Sequence, residues 1–369
     1  MNRIISVQMR GAPSVSGDLY YSAGQDGATG IFELWTLAGG SPSLAWTGAA
    51  GEYIYCLFYC QIDSQYYMLT CDAASKTYGR VYRWVAGNTP ALASEGSYWE
   101  PVQAAEFGGS LYVWSACRWD TSDGTWTNNG GSVVKIAPVT LNRTVVLEII
   151  GTYDSMGDRV SGGMGCDGTT LWAVDAGYVY TSTNGADWSQ YWAWDESTPS
   201  YIGPVISSEA NGEVLAAFNY HYHEAPAAAP YYLLPGGPLP AFTWFAYQSV
   251  QPDTWGLACL SGTYYGACSQ DVVERSTAFL IGNPTAGVWS DLGNVNALSG
   301  LWYPSKPKSL VPMGSVLYGL FNNGIVDPPT VVLAKYESET WSTISTHTGR
   351  YGNRRGAMAV ASTLKSHEV

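Results

Sequence analysis

The sequence has few charged side chains, and basic ones are especially scarce. Charged residues make up 13% of its 369 residues, with 17 Lys and Arg against 30 Asp and Glu, for a formal net charge of -13. Binding to nucleic acid by phosphate neutralisation requires a basic face. The composition therefore predicts no nucleic-acid partner. We interpret the basic residues near the C-terminus as a local contact or a solvated tail; they are Arg350, Arg354, Arg355 and Lys365.

Long apolar runs and the usual export signal are also missing. No stretch approaches the roughly 20 apolar residues that span a bilayer. Segment 1–15 lacks the apolar core and small-residue cleavage pattern of a secretory signal. We therefore expect synthesis in a cytoplasm and no membrane insertion. The seven cysteines have no paired-motif spacing, so we interpret them as reduced thiols in strand cores.

Glycine, tyrosine and tryptophan are abundant, at 42, 27 and 16 residues, and they suit strands and tight turns. A degenerate unit recurs along this β-type sequence. Its first part is a polar or Gly corner followed by a short apolar or aromatic run. From Leu19 in the first copy to Leu317 in the seventh, the period is about 50 residues, which is typical of propeller blades. The copies are SGDLYYSA (16–23), DSQYYMLT (63–70), GGSLYVWSA (108–116), GTTLWAVD (168–175), NGEVLAAF (211–218), SGTYYGAC (261–268) and GSVLYGLF (314–321).

Each copy is followed by a second apolar run and a weaker third run that often carries Trp, and a small-residue strand precedes each corner. Four short antiparallel strands repeated in this way predict an all-β fold, a single-domain seven-bladed β-propeller. We expect segment 354–362 to close the ring beside the N-terminal strand, which removes an open sheet edge. The predicted blades are 1–50, 51–97, 98–153, 154–198, 199–251, 252–304 and 305–353.

The corner STNGADW (182–188) predicts a structural turn. Asn-Gly supplies positive φ angles, Asp187 caps the backbone, and Trp188 covers the turn. The segment resembles the Asp-box of sialidase-like propellers, although it is one residue shorter and has Asn184 before Gly185. The whole chain resembles seven-bladed propellers of kelch and Asp-box type. In that family the box lies at the blade rim, away from the catalytic centre, so the resemblance implies a turn at Ser182 and no catalysis.

Three kinds of chemistry are less favoured than structural roles for the same residues. No Arg lies in the sequence context of the first strand of a sialidase. We interpret carboxylates such as Glu33, Glu106 and Asp175 as turn caps or solvated rim residues in preference to the acid pair of a glycosidase. His221 and His223 alternate on one strand, but nothing nearby completes a metal site. The sequence predicts no metal and no cofactor.

The aromatic residues remain as the functional hint. For Trp119, Trp126, Tyr222 and Trp302, in predicted loops, we expect binding to sugar rings or protein partners. In composition and repeat style the chain is similar to propeller proteins of bacteriophage particles. The leading hypothesis is a non-enzymatic virion protein, located in a tail or appendage, that binds neighbouring subunits or host-surface glycan. The alternatives are a soluble carbohydrate-binding lectin and a glycoside hydrolase or sialidase-like enzyme.

Overall fold

The computed structural model consists of β-strands joined by turns. Every element among the described residues is a strand, so the all-β prediction is confirmed. Within those residues there is no helix long and apolar enough to cross a membrane. The described ranges are 18–72, 78–97, 99–116, 118–120, 125–127, 130–150, 162–175, 178–193, 201–208, 212–219, 231–235, 237–238, 253–260, 263–272, 275–282, 290–294, 305–323, 329–351 and 358–360.

The strands form antiparallel sheets in which consecutive strands are neighbours. The first sheet contains β1 Leu19–Asp26, β2 Phe32–Ala38 and β3 Ser41–Thr47. The second contains β4 Glu52–Cys60, β5 Gln65–Asp72, β6 Gly79–Trp84 and β7 Ala91–Gly96. The third contains β8 Pro101–Phe107, β9 Ser110–Ser115, β12 Gly130–Ile136 and β13 Arg143–Ile150, and between its second and third strands lies a hairpin of β10 Arg118–Asp120 and β11 Thr125–Thr127.

Four further sheets follow the same order along the chain. The fourth contains β14 Gly163–Cys166, β15 Leu171–Asp175, β16 Tyr178–Ser182 and β17 Ser189–Ala193. The fifth contains β18 Tyr201–Ser208, β19 Glu213–Asn219, β20 Tyr231–Leu234 and β21 Gly237–Pro238. The sixth contains β22 Asp253–Leu260, β23 Thr263–Val272, β24 Arg275–Gly282 and β25 Ser290–Asn294, and the seventh β26 Ser305–Met313, β27 Val316–Asn323, β28 Thr330–Glu337 and β29 Thr340–Thr348.

The C-terminal strands complete the first sheet. β30 Arg350–Tyr351 and β31 Met358–Val360 both pair with β1, and Leu19 lies opposite Val360. The first strands of successive sheets are neighbours, and β31 lies between β26 and β4. The expected ring closure by N- and C-terminal strands is therefore confirmed. The blade count of seven and the blade boundaries stay predictions, because stretches such as 241–250 lie outside the described residues.

Packing between sheets explains the apolar runs that mark the repeat. Strand β5 is buried from Tyr66 to Cys71, on both faces, because its sheet packs against a neighbour on each side. Its side chains divide between two core clusters: Tyr67 and Leu69 pack toward the third sheet, and Tyr66 and Met68 toward the first. The outermost strand β7 is mostly exposed.

The outer part of the fifth sheet is only partly described. The third apolar run of the fifth repeat, at 242–249, predicts an outer strand and lies outside the described residues. Within the described residues the chain turns at Pro235, and Gly237 pairs directly with Leu233. The sequence analysis did not predict this short pairing.

Candidate functional site

The segment 182–188 forms the turn between β16 and β17. The buried Ser182 Oγ accepts the N–H groups of Gly185 (2.8 Å) and Asn184 (3.4 Å). Asn184 Oδ1 accepts the N–H groups of Ala186 and Asp187, and its amide donates to Asp187 Oδ2 at 2.8 Å. The side chains that the sequence singled out are occupied in satisfying the turn backbone.

Glycine is required at the centre of this turn for two reasons. Gly185 has a φ of 71°, and a Cβ there would overlap the Tyr112 ring of the preceding sheet. Trp188 packs into the same cluster as Tyr112. The turn therefore docks one sheet on the next.

The loop aromatics are only partly located. Trp119 on β10 lies opposite Trp126 on β11 in the hairpin, whereas Tyr222 and Trp302 lie outside the described residues. Two other tryptophans near strand ends, Trp114 and Trp172, are buried in the core, so packing accounts for them. The binding role of the hairpin tryptophans stays a prediction.

The carboxylates near strand ends have separate partners. Glu106 Oε1 accepts the N–H of Gln61 at 2.6 Å, and burial raises the pKa of this half-buried carboxyl. Asp175 is buried at the end of β15. In the part of the chain that the structure describes, no group of three or more His, Cys, Asp and Glu is placed to hold a metal ion. His221 and His223 lie outside it.

A cluster of polar side chains lies where the seventh sheet meets the first. Ser345 and His347 are two residues apart on β29, so they project from the same face. On the first sheet, Tyr21 of β1 lies directly opposite Trp35 of β2, which also places these two side chains on one face. Ring closure turns the two faces toward each other.

Three polar atoms in this cluster are within hydrogen-bond distance of one another. Tyr21 Oη lies 3.0 Å from Ser345 Oγ and 3.0 Å from His347 Nε2. Ser345 Oγ lies 3.3 Å from the same Nε2. The Trp35 ring packs on the imidazole with centroids 4.5 Å apart. The Ser345 hydroxyl, the His347 imidazole and the Tyr21 hydroxyl therefore lie within hydrogen-bond distance of one another. This arrangement is suited to proton transfer.

Burial sets the protonation state of the cluster. It lowers the pKa of His347 to about 4, and the charge of Arg350 acts in the same direction while Glu33 opposes it. Burial also raises the pKa of Tyr21 to about 12. Near neutral pH the imidazole is therefore an uncharged acceptor or donor, and the phenol keeps its proton.

A charged group borders the cluster on the same side. Arg350 Nη2 donates to Glu33 Oε1 at 2.9 Å, and Nη1 lies 3.3 Å from Asp26 Oδ2. Glu33 Oε2 accepts the indole N–H of Trp35 at 3.0 Å. Arg350 was expected to make a local contact or to be solvated, and it ties β30 to both β1 and β2.

Sequence reasoning missed Tyr21, Ser345 and His347 as a group. Tyr21 and His347 are separated by 326 positions, and no motif links them. The available signal was the spacing of two residues between Ser345 and His347, which puts both on one face of an extended strand. It gains meaning only once the ring closes.

Comparisons with known proteins identify the architecture. No protein-family model matches the chain, and no curated protein matches it. A solved protein from Lactobacillus plantarum has a TM-score of 0.58 at 13% identity, covering 93% of this chain and 99% of that one. The periplasmic gluconolactonase of Pseudomonas aeruginosa also has a TM-score of 0.58 at 13% identity, covering 94% and 99%. A prolyl endopeptidase has a TM-score of 0.52 at 9% identity, covering 92% of this chain and 51% of its own.

The fold is a β-propeller. The hypothesis of a non-enzymatic protein located in a virion is wrong in both role and location. The propellers that match nearly the whole chain include a periplasmic gluconolactonase and a prolyl endopeptidase. The low charge and the abundance of Gly, Trp and Tyr do not distinguish a virion protein, because these residues suit strands and tight turns in β-proteins generally. At 13% identity the likeness establishes the fold and carries no active-site residue to this chain.

Proposed function

We propose that the chain is a hydrolase acting on an ester bond of the lactone type at Tyr21, Ser345 and His347. The observation that carries the proposal is the 3.3 Å contact between Ser345 Oγ and His347 Nε2. A hydroxyl within reach of a neutral imidazole is the usual arrangement of an activated oxygen nucleophile. The gluconolactonase with this fold supports the choice of a cyclic ester.

The proposed reaction uses the three polar atoms in sequence. His347 Nε2 accepts the Ser345 proton as Oγ attacks the acyl carbon. Tyr21, whose phenol stays protonated, donates first to Ser345 Oγ and then to the developing oxyanion. His347 returns its proton to the ring oxygen that leaves. A water then gives a proton to the same imidazole and attacks the acyl carbon, and His347 passes this proton to Ser345 Oγ as the acyl–Oγ bond breaks and the hydroxy acid leaves.

Turnover of a panel of sugar lactones and activated aryl esters tests the proposal. Ser345→Ala and His347→Gln are each expected to lower kcat/KM by about 10²–10⁴-fold, the usual loss when base catalysis is removed. Thr346→Ala is the matched control, because it lies exposed between them and projects from the other face. Absence of turnover by the unmodified chain, or full activity in both variants, would refute the proposal.

Two finer predictions remain alongside it. The first is that the chain resembles propellers of kelch and Asp-box type more than propellers in general. The other is a contact between a carbohydrate and Trp119 or Trp126. Trp119→Ala would then weaken binding of the purified chain to a panel of glycans and leave turnover of small aryl esters unaffected.

A further inference from the structure

The junction between the seventh and first sheets differs from the others in how it is joined. The chain passes here from β29 of the seventh sheet into β30 and β31, which pair with β1 from the other end of the chain, so the first sheet combines strands from both ends. β31 pairs with β1 over three residues, from Tyr21↔Met358 to Leu19↔Val360. An apolar cluster that includes Leu19, Leu333 and Met358 is buried across this junction.

His347 lies inside this junction with a defined set of neighbours. Tyr21 from β1 and Ser345 from its own strand contact Nε2. Trp35 from β2 covers the ring, and Val331 lies opposite on β28. All of these neighbours are uncharged at neutral pH, so the imidazole is accommodated in its neutral form.

The charged groups near His347 also disfavour a second positive charge. Arg350 from β30 lowers the pKa of the imidazole more than Glu33 from β2 raises it. Both Glu33 and Asp26 are already engaged by Arg350, at 2.9 and 3.3 Å. Neither carboxylate is therefore available to neutralise an imidazolium without giving up its ion pair.

We propose that the junction between the last and first blades is an acid-sensitive latch, in which protonation of His347 loosens the hold of the C-terminal strands on β1. A proton on Nε2 and another on Nδ1 place a desolvated cation beside Arg350. The charge is relieved when the junction opens and the imidazole reaches water. This regulation uses residues of the proposed hydrolytic site, but it does not require that the site be catalytic.

The pH range follows from the direction of the shift. The imidazole titrates near 6.5 when exposed and about 4 in the closed junction. Opening therefore becomes easier as pH falls from about 6.5 toward 4. Full linkage between these values corresponds to a change of about 40-fold in the opening equilibrium from pH 6.5 to pH 4.5, and partial exposure of the ring reduces the expected effect to about tenfold.

Native-state hydrogen exchange at pH 6.5 and 4.5 tests the latch. Protection of 19–21 and 358–360 is expected to fall about tenfold more in the unmodified chain than in His347→Gln, while 110–115 of β9 changes equally in both. Comparing the two proteins at each pH cancels the intrinsic pH dependence of exchange. An equal fall in both proteins would overturn the proposal.

An NMR titration of His347 in the unmodified chain gives a second test that does not depend on a variant. A titration midpoint well below 6.5 supports the latch, and a midpoint at or above 6.5 overturns it. Neither measurement depends on turnover, so the latch and the hydrolase proposal fail separately.

Discussion

Trp114 acts as a wedge between the third and fourth blades, and glycines on both sides make room for it. The side chain is fully buried. A Cβ at Gly131 would overlap the ζ2 and η2 atoms of its ring, and a Cβ at Gly162 would overlap its pyrrole edge. Gly131→Ala is therefore expected to destabilise the chain by about 1–3 kcal/mol, the usual cost of overpacking.

The magnitude should depend on the Trp114 ring itself. In a Trp114→Leu background the overlapping ring atoms are gone, so Gly131→Ala becomes nearly neutral and the two substitutions couple by about 1–3 kcal/mol. Gly162 provides an internal contrast, because its φ of 109° strains any other residue regardless of space. Gly162→Ala is expected to keep a cost of about 1 kcal/mol or more in the same background.

Equilibrium urea unfolding of the single and double variants, followed by far-UV circular dichroism, measures these terms. Shifts in midpoint at constant m-value report stability. An equal cost for Gly131→Ala with and without the Trp114 ring would refute the wedge. So would complete rescue of Gly162→Ala, since backbone strain at that position would then be absent.

Two further substitutions test buried polar groups by the same unfolding measurement. Ser182→Ala removes an oxygen that accepts two turn N–H groups and should cost about 1–3 kcal/mol; the exposed Thr183→Ala should stay within about 0.5 kcal/mol, and equal losses would contradict the assignment. Glu52 is buried and lies 3.2 Å from Arg80, so Glu52→Gln should cost about 3 kcal/mol. Glu95 is the solvent-facing partner of the same guanidinium, so Glu95→Gln should lower stability by less than about 1 kcal/mol. A larger loss for Glu95→Gln than for Glu52→Gln would contradict this account.

The fold was largely accessible from the sequence because its repeat is local. Each corner and apolar run, such as 63–70, specifies a strand pair within a few residues, and the ring multiplies that unit. Closure by 354–362 was predictable too, because an unpaired edge strand needs a partner. The short strand at Gly237 was not, since its pairing depends on where the chain turns after Leu234.

The candidate site was inaccessible for the opposite reason. Tyr21 and His347 become neighbours only when the ring closes, so their contact has no local signature. Apolar runs in the sequence predict which strands are buried between sheets, but they do not predict which sheets pack together where the two ends of the chain meet. Charge patterning failed in the same way at Arg350, whose carboxylate partners lie more than 300 positions earlier, on β1 and β2.

The polar composition of the closing junction is itself an argument for function. Closure alone requires apolar burial and strand pairing, which Leu19, Met358 and their neighbours supply. A neutral histidine, and an arginine with two carboxylates, cost desolvation free energy at the same junction. The attraction within such ion pairs roughly offsets this cost and seldom exceeds it. Tyr21 Oη and His347 Nε2 lie 3.0 and 3.3 Å from Ser345 Oγ, and polar groups that add little to stability are typical of functional sites. The junction therefore combines the structural closure of the ring with the groups to which we assign the proposed catalysis and acid sensitivity.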